Sequence, residues 1–261
     1  MADLTPAQRD ALTLALHDVR QGVQVRLADF TGTMWDNLGD WRDDDVDRFV
    51  SAVVPRVEAG KTAIAQATDA YVAAMIDAEP VGVADLSDLR NGATPEEVYR
   101  RPAIAMRSAI AEGADFTDAL NAGARRLASI VKTDLQLAHT HQARESMTEP
   151  APRGRRGRRR PRGSAEAFRR VPSGSENCAL CLIASTQRYW VGALLPIHPG
   201  CDCGVQPLGP GEHVDQVIDR DLLEAVHDQV EGIAGFADRG GREVDYRQLI
   251  VSVNHGEHGP S

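Results

Sequence analysis

The stretch ENCALCLIASTQRYWVGALLPIHPGCDCGVQPL, residues 176–208, holds every cysteine of the chain and decides how the C-terminal part folds. Cys178 and Cys181 form a CxxC pair, and after an apolar interval His198, Cys201 and Cys203 follow as HxxCxC. A CxxC turn places two sulfur atoms on one side of a tight loop, at a separation that suits two corners of a zinc tetrahedron. An HxxC segment does the same for an imidazole and a thiolate, so the spacing predicts one zinc site.

The donor set indicates a structural Zn²⁺ ion rather than a catalytic one. Zinc accepts mixed sulfur and imidazole ligands, and a site that fills all four positions with protein ligands leaves none for substrate. Cys178, Cys181 and His198 are the expected ligands, and the fourth is Cys201 or Cys203. Two other interpretations stay open. A redox CxxC would open a helix after a strand, which the sequence does not indicate, and paired disulfides would need an oxidising compartment.

The first 149 residues carry apolar side chains at helical spacing. Thr5 followed by Pro6 is typical of a helix start, and the acidic run Asp43–Asp45 suits a second one. Two long helices joined by a short turn predict an antiparallel hairpin. The predicted elements are a helix from Pro6 through Met34, a helix from Asp43 to Met75 kinked at Pro55, a loop over 79–94, a shorter helix begun by Thr94 and Pro95 and interrupted by Pro102, and a helix from Phe116 to about Met147.

The fold class predicted from these tracts is α+β, with a mostly helical N-terminal part and a small zinc-stapled α/β C-terminal module. The tail should contain an acidic amphipathic helix over 213–230 and a final strand within 246–253 that pairs inside the chain. The predicted organisation is a helical domain at 1–149, a basic linker at 150–165, the Cys/His metal-knot module at 166–209 and a helix-and-strand tail at 210–261.

The net charge of −9 conceals a basic centre between two acidic flanks. The segment PAPRGRRGRRRPRG, residues 150–163, has too few apolar side chains to offset its ordering entropy and predicts a disordered linker. Dense arginines attract phosphate oxygens through counterion release, so nucleic acid is one candidate partner. An acidic protein surface is another, and a purely solubilising role is the third. The arginines are Arg153, Arg155, Arg156, Arg158, Arg159, Arg160 and Arg162.

Composition and motifs argue against several functional classes. With 42% hydrophobic and 26% charged residues the chain resembles an ordinary globular protein, and no apolar run approaches the roughly 20 residues that span a bilayer. The start MADLTPAQRD lacks the pattern of a signal peptide, so we expect a cytoplasmic protein without membrane contact. Neither a GxSxG elbow nor an HExxH helix is present. Candidate catalytic groups are therefore only unpatterned ones, namely His139, His141, His213, His227, Ser173, Ser175 and Ser185.

Several segments resemble the phage Mu F-type head morphogenesis family, in its actinobacteriophage branch. CALC (178–181) followed by LPIHPGCDC (195–203) is similar to the CxxC and HPxCxC elements of that family. The segments TDLQLAHTHQARESM (133–147), AFRRVPSGSENCALC (167–181) and DYRQLIVSVNHGEHGP (245–260) are similar to its polar helix, its entering strand and its tail. The basic segment is longer than in the family, and Asp202 stands where the family often has a basic residue.

The resemblance implies a minor capsid protein of a tailed phage or prophage. Such a protein associates with the portal protein and with the major capsid or scaffold protein in the host cytoplasm, and ends in the capsid interior of the virion, where it can contact phage DNA. Proteins of this branch are often labelled capsid maturation proteases, which is the alternative function. A zinc module for nucleic acid outside phages is a second alternative, although only Arg188 is basic between Cys181 and His198. The N-terminal helical hairpin is the expected docking surface for the portal or the capsid, because of its length and its acidic patch Asp43–Asp47.

Overall fold

The computed structural model describes residues 4–39, 41–148, 165–172, 176–195, 203–209, 215–234 and 250–252. Long helices dominate the N-terminal half of these residues, and short strands alternate with short helices in the C-terminal half, which is the α+β composition expected from the sequence. The elements are α1 (Pro6–Asp36), α2 (Asp43–Met75), α3 (Pro95–Ala111), α4 (Phe116–Thr148), β1 (Ala167–Val171), β2 (Glu176–Cys178), α5 (Ala179–Ser185), β3 (Arg188–Trp190), a 3-10 turn (Val191–Ala193), β4 (Gly204–Leu208), α6 (Arg220–Ala234) and β5 (Ile250–Ser252).

Side-chain caps fix the starts of α1 and α3. The Gln8 backbone N–H donates to the Thr5 hydroxyl at 3.3 Å, and the Gln8 side-chain oxygen accepts from the Thr5 backbone N–H at 2.8 Å. Thr94 and Glu97 form the same reciprocal pair at the start of α3. Each pair satisfies donors that the first turn of a helix otherwise leaves without partners. The predicted helix starts at Thr5 and Thr94 are therefore confirmed.

One prediction about the helices is wrong. Pro102 was expected to interrupt the third helix, but α3 continues through it to Ala111. A proline inside a helix removes one backbone hydrogen bond, and tertiary packing can offset that loss. Pro102 is buried, and its neighbours Ala103 and Met106 belong to the helical core, so burial holds the helix together across the proline. The second helix also runs unbroken through Pro55, and the kink expected there stays a prediction.

The chain divides into two compact units, and the first comprises residues 18–68 and 82–142. Its apolar core is organised around Trp35, whose ring meets Trp41 and Phe49 edge-on at centroid distances of 4.4 and 5.8 Å. The Trp35 indole N–H donates to the Leu120 carbonyl at 3.3 Å. Other fully or nearly fully buried members are Val53, Val57, Ile64, Val98, Tyr99, Leu127 and Val131.

Two glycines allow the helices of this unit to approach closely. A Cβ atom at Gly60 would lie 2.5 Å from Leu27 Cδ1, and one at Gly123 would lie 2.2 Å from Trp35 Cζ2 and 3.0 Å from the Pro102 carbonyl oxygen. Real Cβ atoms do not approach neighbours so closely, so a larger residue would force the helices apart. Gly60 therefore allows close packing between α1 and α2.

Buried polar side chains hold down the loop that the sequence placed at 79–94. Gln142 of α4 accepts from the Ala84 N–H at 2.8 Å and donates to the Gly82 carbonyl at 2.9 Å. Arg90 of the loop donates to Asp134 at 2.7 Å, and Lys61 of α2 donates to the Leu86 carbonyl at 3.4 Å. Because a buried backbone group needs a partner, these contacts explain why a loop without regular structure packs against helices.

The second unit comprises residues 1–17, 69–81 and 143–261, of which the described parts are given above. Its main sheet has the order β3-β1-β4, with β1 antiparallel to both neighbours, and β2 pairs antiparallel with β5. Helix α5 packs on α6 through a small apolar cluster. The tail strand thus pairs inside the chain, as expected. The tail helix begins at Arg220 rather than near residue 213, because residues 215–218 form bends and a bridge to Gln187 instead.

Candidate metal centre

Cys178 and Cys181 lie where strand β2 turns into helix α5. Cys178 is the N-cap of α5, and its sulfur accepts a hydrogen bond from the Cys181 backbone N–H at 3.4 Å. This contact orients Cys178 Sγ toward the first turn, where Cys181 also lies. The expectation that the CxxC pair would not open a helix after a strand is therefore wrong. Helix α5 has only seven residues, too few for a clear helical period in the sequence.

Cys203 approaches the pair from a different part of the chain. It immediately precedes β4, and it packs with Cys178 and Cys181 in one buried cluster against which Leu180 lies. The three cysteines are only 3–8% exposed, and no disulfide joins any of these described cysteines. Cys201, the fourth cysteine of the disulfide interpretation, lies outside the described residues, so that interpretation stays untested. Cysteine sulfur is a donor type that zinc accepts, so the three buried side chains stay candidate ligands.

The remaining predicted ligands, His198 and Cys201, lie outside the described residues. Within the described ranges, no group of three or more His, Cys, Asp or Glu side chains is arranged as a metal site. The complete zinc site therefore stays a prediction. Cys203 packs in one cluster with the CxxC pair, and the choice between Cys201 and Cys203 as the fourth ligand stays a prediction.

The described part of the apolar interval between the two cysteine groups contains α5, strand β3 and the 3-10 turn. Some of its apolar residues are buried and others are exposed. Leu182, Val191 and Leu194 are buried, whereas Trp190 and Leu195 are 61% and 62% exposed. The interval thus has a small packed core, and Trp190 and Leu195 form an exposed apolar tip on its surface.

The seven arginines from Arg153 to Arg162 lie outside the described residues. Two later arginines, Arg170 on β1 and Arg188 on β3, lie beside aromatic rings. The Arg170 guanidinium lies 5.7 Å from the Phe168 ring centroid and 5.8 Å from that of Tyr189, and it donates to the Leu195 carbonyl. The Arg188 guanidinium lies 4.6 Å from the Trp190 centroid. The sequence signal for these contacts is the presence of arginine close to aromatic residues in both β1 and β3.

The acidic patch expected to dock the portal is largely compensated within its own unit. Asp43 pairs with Arg107 at 2.8 Å, and Asp47 pairs with Arg100. Asp45 pairs with Arg48 and also accepts from the Arg42 backbone N–H at 3.1 Å. These ion pairs link the start of α2 to α3, so the acidic run stabilises the helical unit in addition to any role at its surface.

Two of the groups considered for catalysis, His139 and Ser185, are buried, whereas His141 is half-buried and His227 is exposed. His139 is fully buried, and its Nδ1 lies 3.0 Å from the Thr68 hydroxyl. Ser185 is buried, and its hydroxyl donates to the Leu182 carbonyl at 2.7 Å. A substrate cannot reach a nucleophile or a base buried in this way without opening of the fold. Ser173, Ser175 and His213 lie outside the described residues.

Burial raises the pKa values of two tyrosines. The pKa of Tyr71 rises to about 12 because burial disfavours the phenolate, and the hydrogen bond with Thr13 at 3.1 Å opposes this in part. Tyr99 is buried, and its hydroxyl donates to Asp134 at 2.9 Å. Burial first, and then the Asp134 carboxylate, hold the pKa of Tyr99 well above its ordinary value. Both phenols are neutral structural hydrogen-bonding groups.

None of the helices in the described ranges is both long and apolar enough to cross a membrane.

Comparison with known proteins places the chain in a family. No curated protein and no solved structure matches the chain. A family model described as "VG15 protein" matches residues 5–229, which include the four long helices and the cysteine module. The chain therefore belongs to the VG15 protein family, a family of viral proteins.

Proposed function

We propose that this chain is a minor capsid protein of a tailed phage, associating with the portal protein and the inner capsid during head assembly. The observation that carries the proposal is the convergence of Cys178, Cys181 and Cys203 in a chain of a viral family. These residues belong to the CxxC and HPxCxC elements on which the resemblance to the Mu F-type head family rests. In this role the chain acts in the host cytoplasm and ends inside the capsid.

A structural Zn²⁺ ion is part of the proposal. Cys178, Cys181, Cys203 and His198 would hold it, and the ion would link the start of α5 to the start of β4. A domain as small as this module buries little apolar surface, so a metal cross-link contributes strongly to its stability. The buried cysteines and the short strands of the module support this part of the proposal.

Membership of a viral family argues against the interpretation as a zinc module unrelated to phages. The protease alternative receives no support from the burial of His139 and Ser185. The basic segment from Arg153 to Arg162 fits contact with packaged DNA or with an acidic capsid surface, and it supplies the electrostatic attraction that either contact needs.

Co-expression of the full chain with the portal and major capsid proteins of the same phage tests the function. We expect the chain to co-purify with the portal and to enter assembled heads in few copies, with the capsid protein left intact. Heads that form normally but exclude the chain would contradict the proposal. Cleavage of the capsid protein that depends on the chain would favour the protease instead.

A further inference from the structure

The exposed end of strand β3 presents an aromatic ring that the fold leaves accessible. Residues two apart in a strand lie on the same face, so Arg188 and Trp190 are neighbours on one side of the sheet. The Arg188 guanidinium lies 4.6 Å from the Trp190 ring centroid, yet the Trp190 residue remains 61% exposed. One face of the indole is thus supported by a cation, and the opposite face is open to a ligand.

In the part of the chain that the structure describes, no ion pair neutralises the Arg188 cation beside the ring. The Arg188 Nε atom is buried and has no hydrogen-bond partner among the described residues. Arg170, on the neighbouring strand, directs its guanidinium to the Leu195 carbonyl at the same tip. The exposed Glu166 precedes β1, and its carbonyl accepts from the Val191 N–H at 3.3 Å. Glu166 is therefore the acidic neighbour that opposes an anionic ligand.

The backbone edge of β3 is already occupied near Arg188, which disfavours an extended peptide as the ligand. The Arg188 N–H donates to the Gln216 carbonyl at 2.9 Å, and the Gln216 side chain donates to the Arg188 carbonyl at 2.7 Å. Strand addition requires open N–H and C=O groups at the edge. The flat indole remains as the binding feature, and a flat ring supported by arginine suits a nucleobase.

We propose that Trp190, supported by Arg188, is a stacking platform for the base of an unpaired nucleotide. The Trp190 indole binds the nucleobase by stacking, and Arg188 attracts the phosphate next to that base. This inference deepens the nucleic-acid part of the proposed function and distinguishes an unpaired strand from a duplex. A duplex keeps its bases stacked on each other, so it offers phosphates but no free ring.

Binding of a labelled oligothymidylate and of a DNA duplex of the same length to the full chain tests the proposal. Trp190→Ala should weaken oligothymidylate binding by roughly five- to hundredfold, the usual range for loss of one stacked aromatic ring. Trp190→Phe should retain most of the binding because it keeps a ring. Leu195→Ala is the matched control, since it removes an equally exposed apolar side chain without a ring. Glu166→Gln should strengthen binding.

Intrinsic fluorescence gives an independent signal. The other two tryptophans, Trp35 and Trp41, pack against each other, and Trp35 is 1% exposed, so quenching by the oligonucleotide should come from Trp190. Unchanged oligothymidylate affinity in a folded Trp190→Ala chain would overturn the platform. A second result would also overturn the platform: the chain binds no oligonucleotide, and both Trp190→Ala and Leu195→Ala lose portal association. The surface around Trp190 and Leu195 would then be a protein-docking surface. If the chain still enters heads normally in either case, the proposed function is not contradicted.

Discussion

The Cys181 backbone N–H donates to Cys178 Sγ at 3.4 Å, and this hydrogen bond joins the cap of α5 to the candidate metal site. In the proposed zinc site, the sulfur atom that caps α5 would also be a metal ligand, so the start of the helix and the metal would share one side chain.

Single Cys→Ser substitutions should distinguish the three cysteines that bind zinc in the proposed site from the fourth cysteine, Cys201. Cys203→Ser should lose bound zinc and lower the melting temperature, because Cys203 lies in the buried cluster with Cys178 and Cys181. Cys201→Ser is the matched control and should keep its zinc. Measurement of zinc content and thermal unfolding on both variants decides the assignment, and the opposite pattern would exchange the roles of Cys201 and Cys203.

Gly123→Ala should destabilise the helical unit. The added Cβ would lie 2.2 Å from Trp35 Cζ2, and overpacking of this kind costs about 1–3 kcal/mol. Gly32→Ala is the control, because an added Cβ there meets nothing within 4 Å, and it should stabilise helix α1 by up to about 1 kcal/mol. Urea unfolding of both variants measures the difference. Equal stabilities would show that the approach of α4 to Trp35 is looser than described.

The contacts of Asp134 predict that its substitution strongly lowers the free energy of unfolding. The helical pattern of the sequence does not reveal the importance of this position. Its carboxylate accepts from Arg90 at 2.7 Å and from Tyr99 at 2.9 Å, and it is 5% exposed. Asp134→Ala leaves both donors without this partner and should lower the free energy of unfolding by about 3–5 kcal/mol. Asp43→Ala breaks only an exposed ion pair with Arg107, so its loss should stay below about 1 kcal/mol.

Much of the helical part follows from local signals. The reciprocal pairs Thr5–Gln8 and Thr94–Glu97 involve residues three apart, so the sequence itself contains both partners. The path of α3 through Pro102 could not be predicted in this way, because burial among residues from other helices decides it. The same holds for Asp134 and Gln142, whose partners lie 35–60 residues away and whose polar character suggests exposure.

For the candidate site, cysteine spacing predicted the types of donor atoms but not how the segments that carry them are arranged. The packing of Cys203 with Cys178 and Cys181 could not be predicted, because it depends on how the chain folds back between α5 and β4. Helix α5 was missed since its seven residues complete barely two turns. The Arg188–Trp190 pair was missed because its exposure depends on the edge position of β3 in the sheet.

Alkaline conditions should unfold the protein partly through Tyr71. Its pKa is about 12 in the folded chain and about 10 when unfolded, so the unfolded state loses the proton first. The contribution of Tyr71 is complete below pH 10 and decreases between about pH 10 and 12, by up to about 3 kcal/mol. Tyr71→Phe should flatten this part of the pH dependence of unfolding, and a slope equal to that of the wild type would refute the assignment.

The zinc content of the full chain, purified without added metal, tests the central claim most directly. Elemental analysis combined with titration of reactive thiols should find one zinc ion per chain, with the ligand cysteines protected until a chelator or denaturant is added. We expect the chelator to release the metal and to unfold the C-terminal module. A correctly folded chain that contains no metal, and in which all four cysteines react as thiols, would contradict the account.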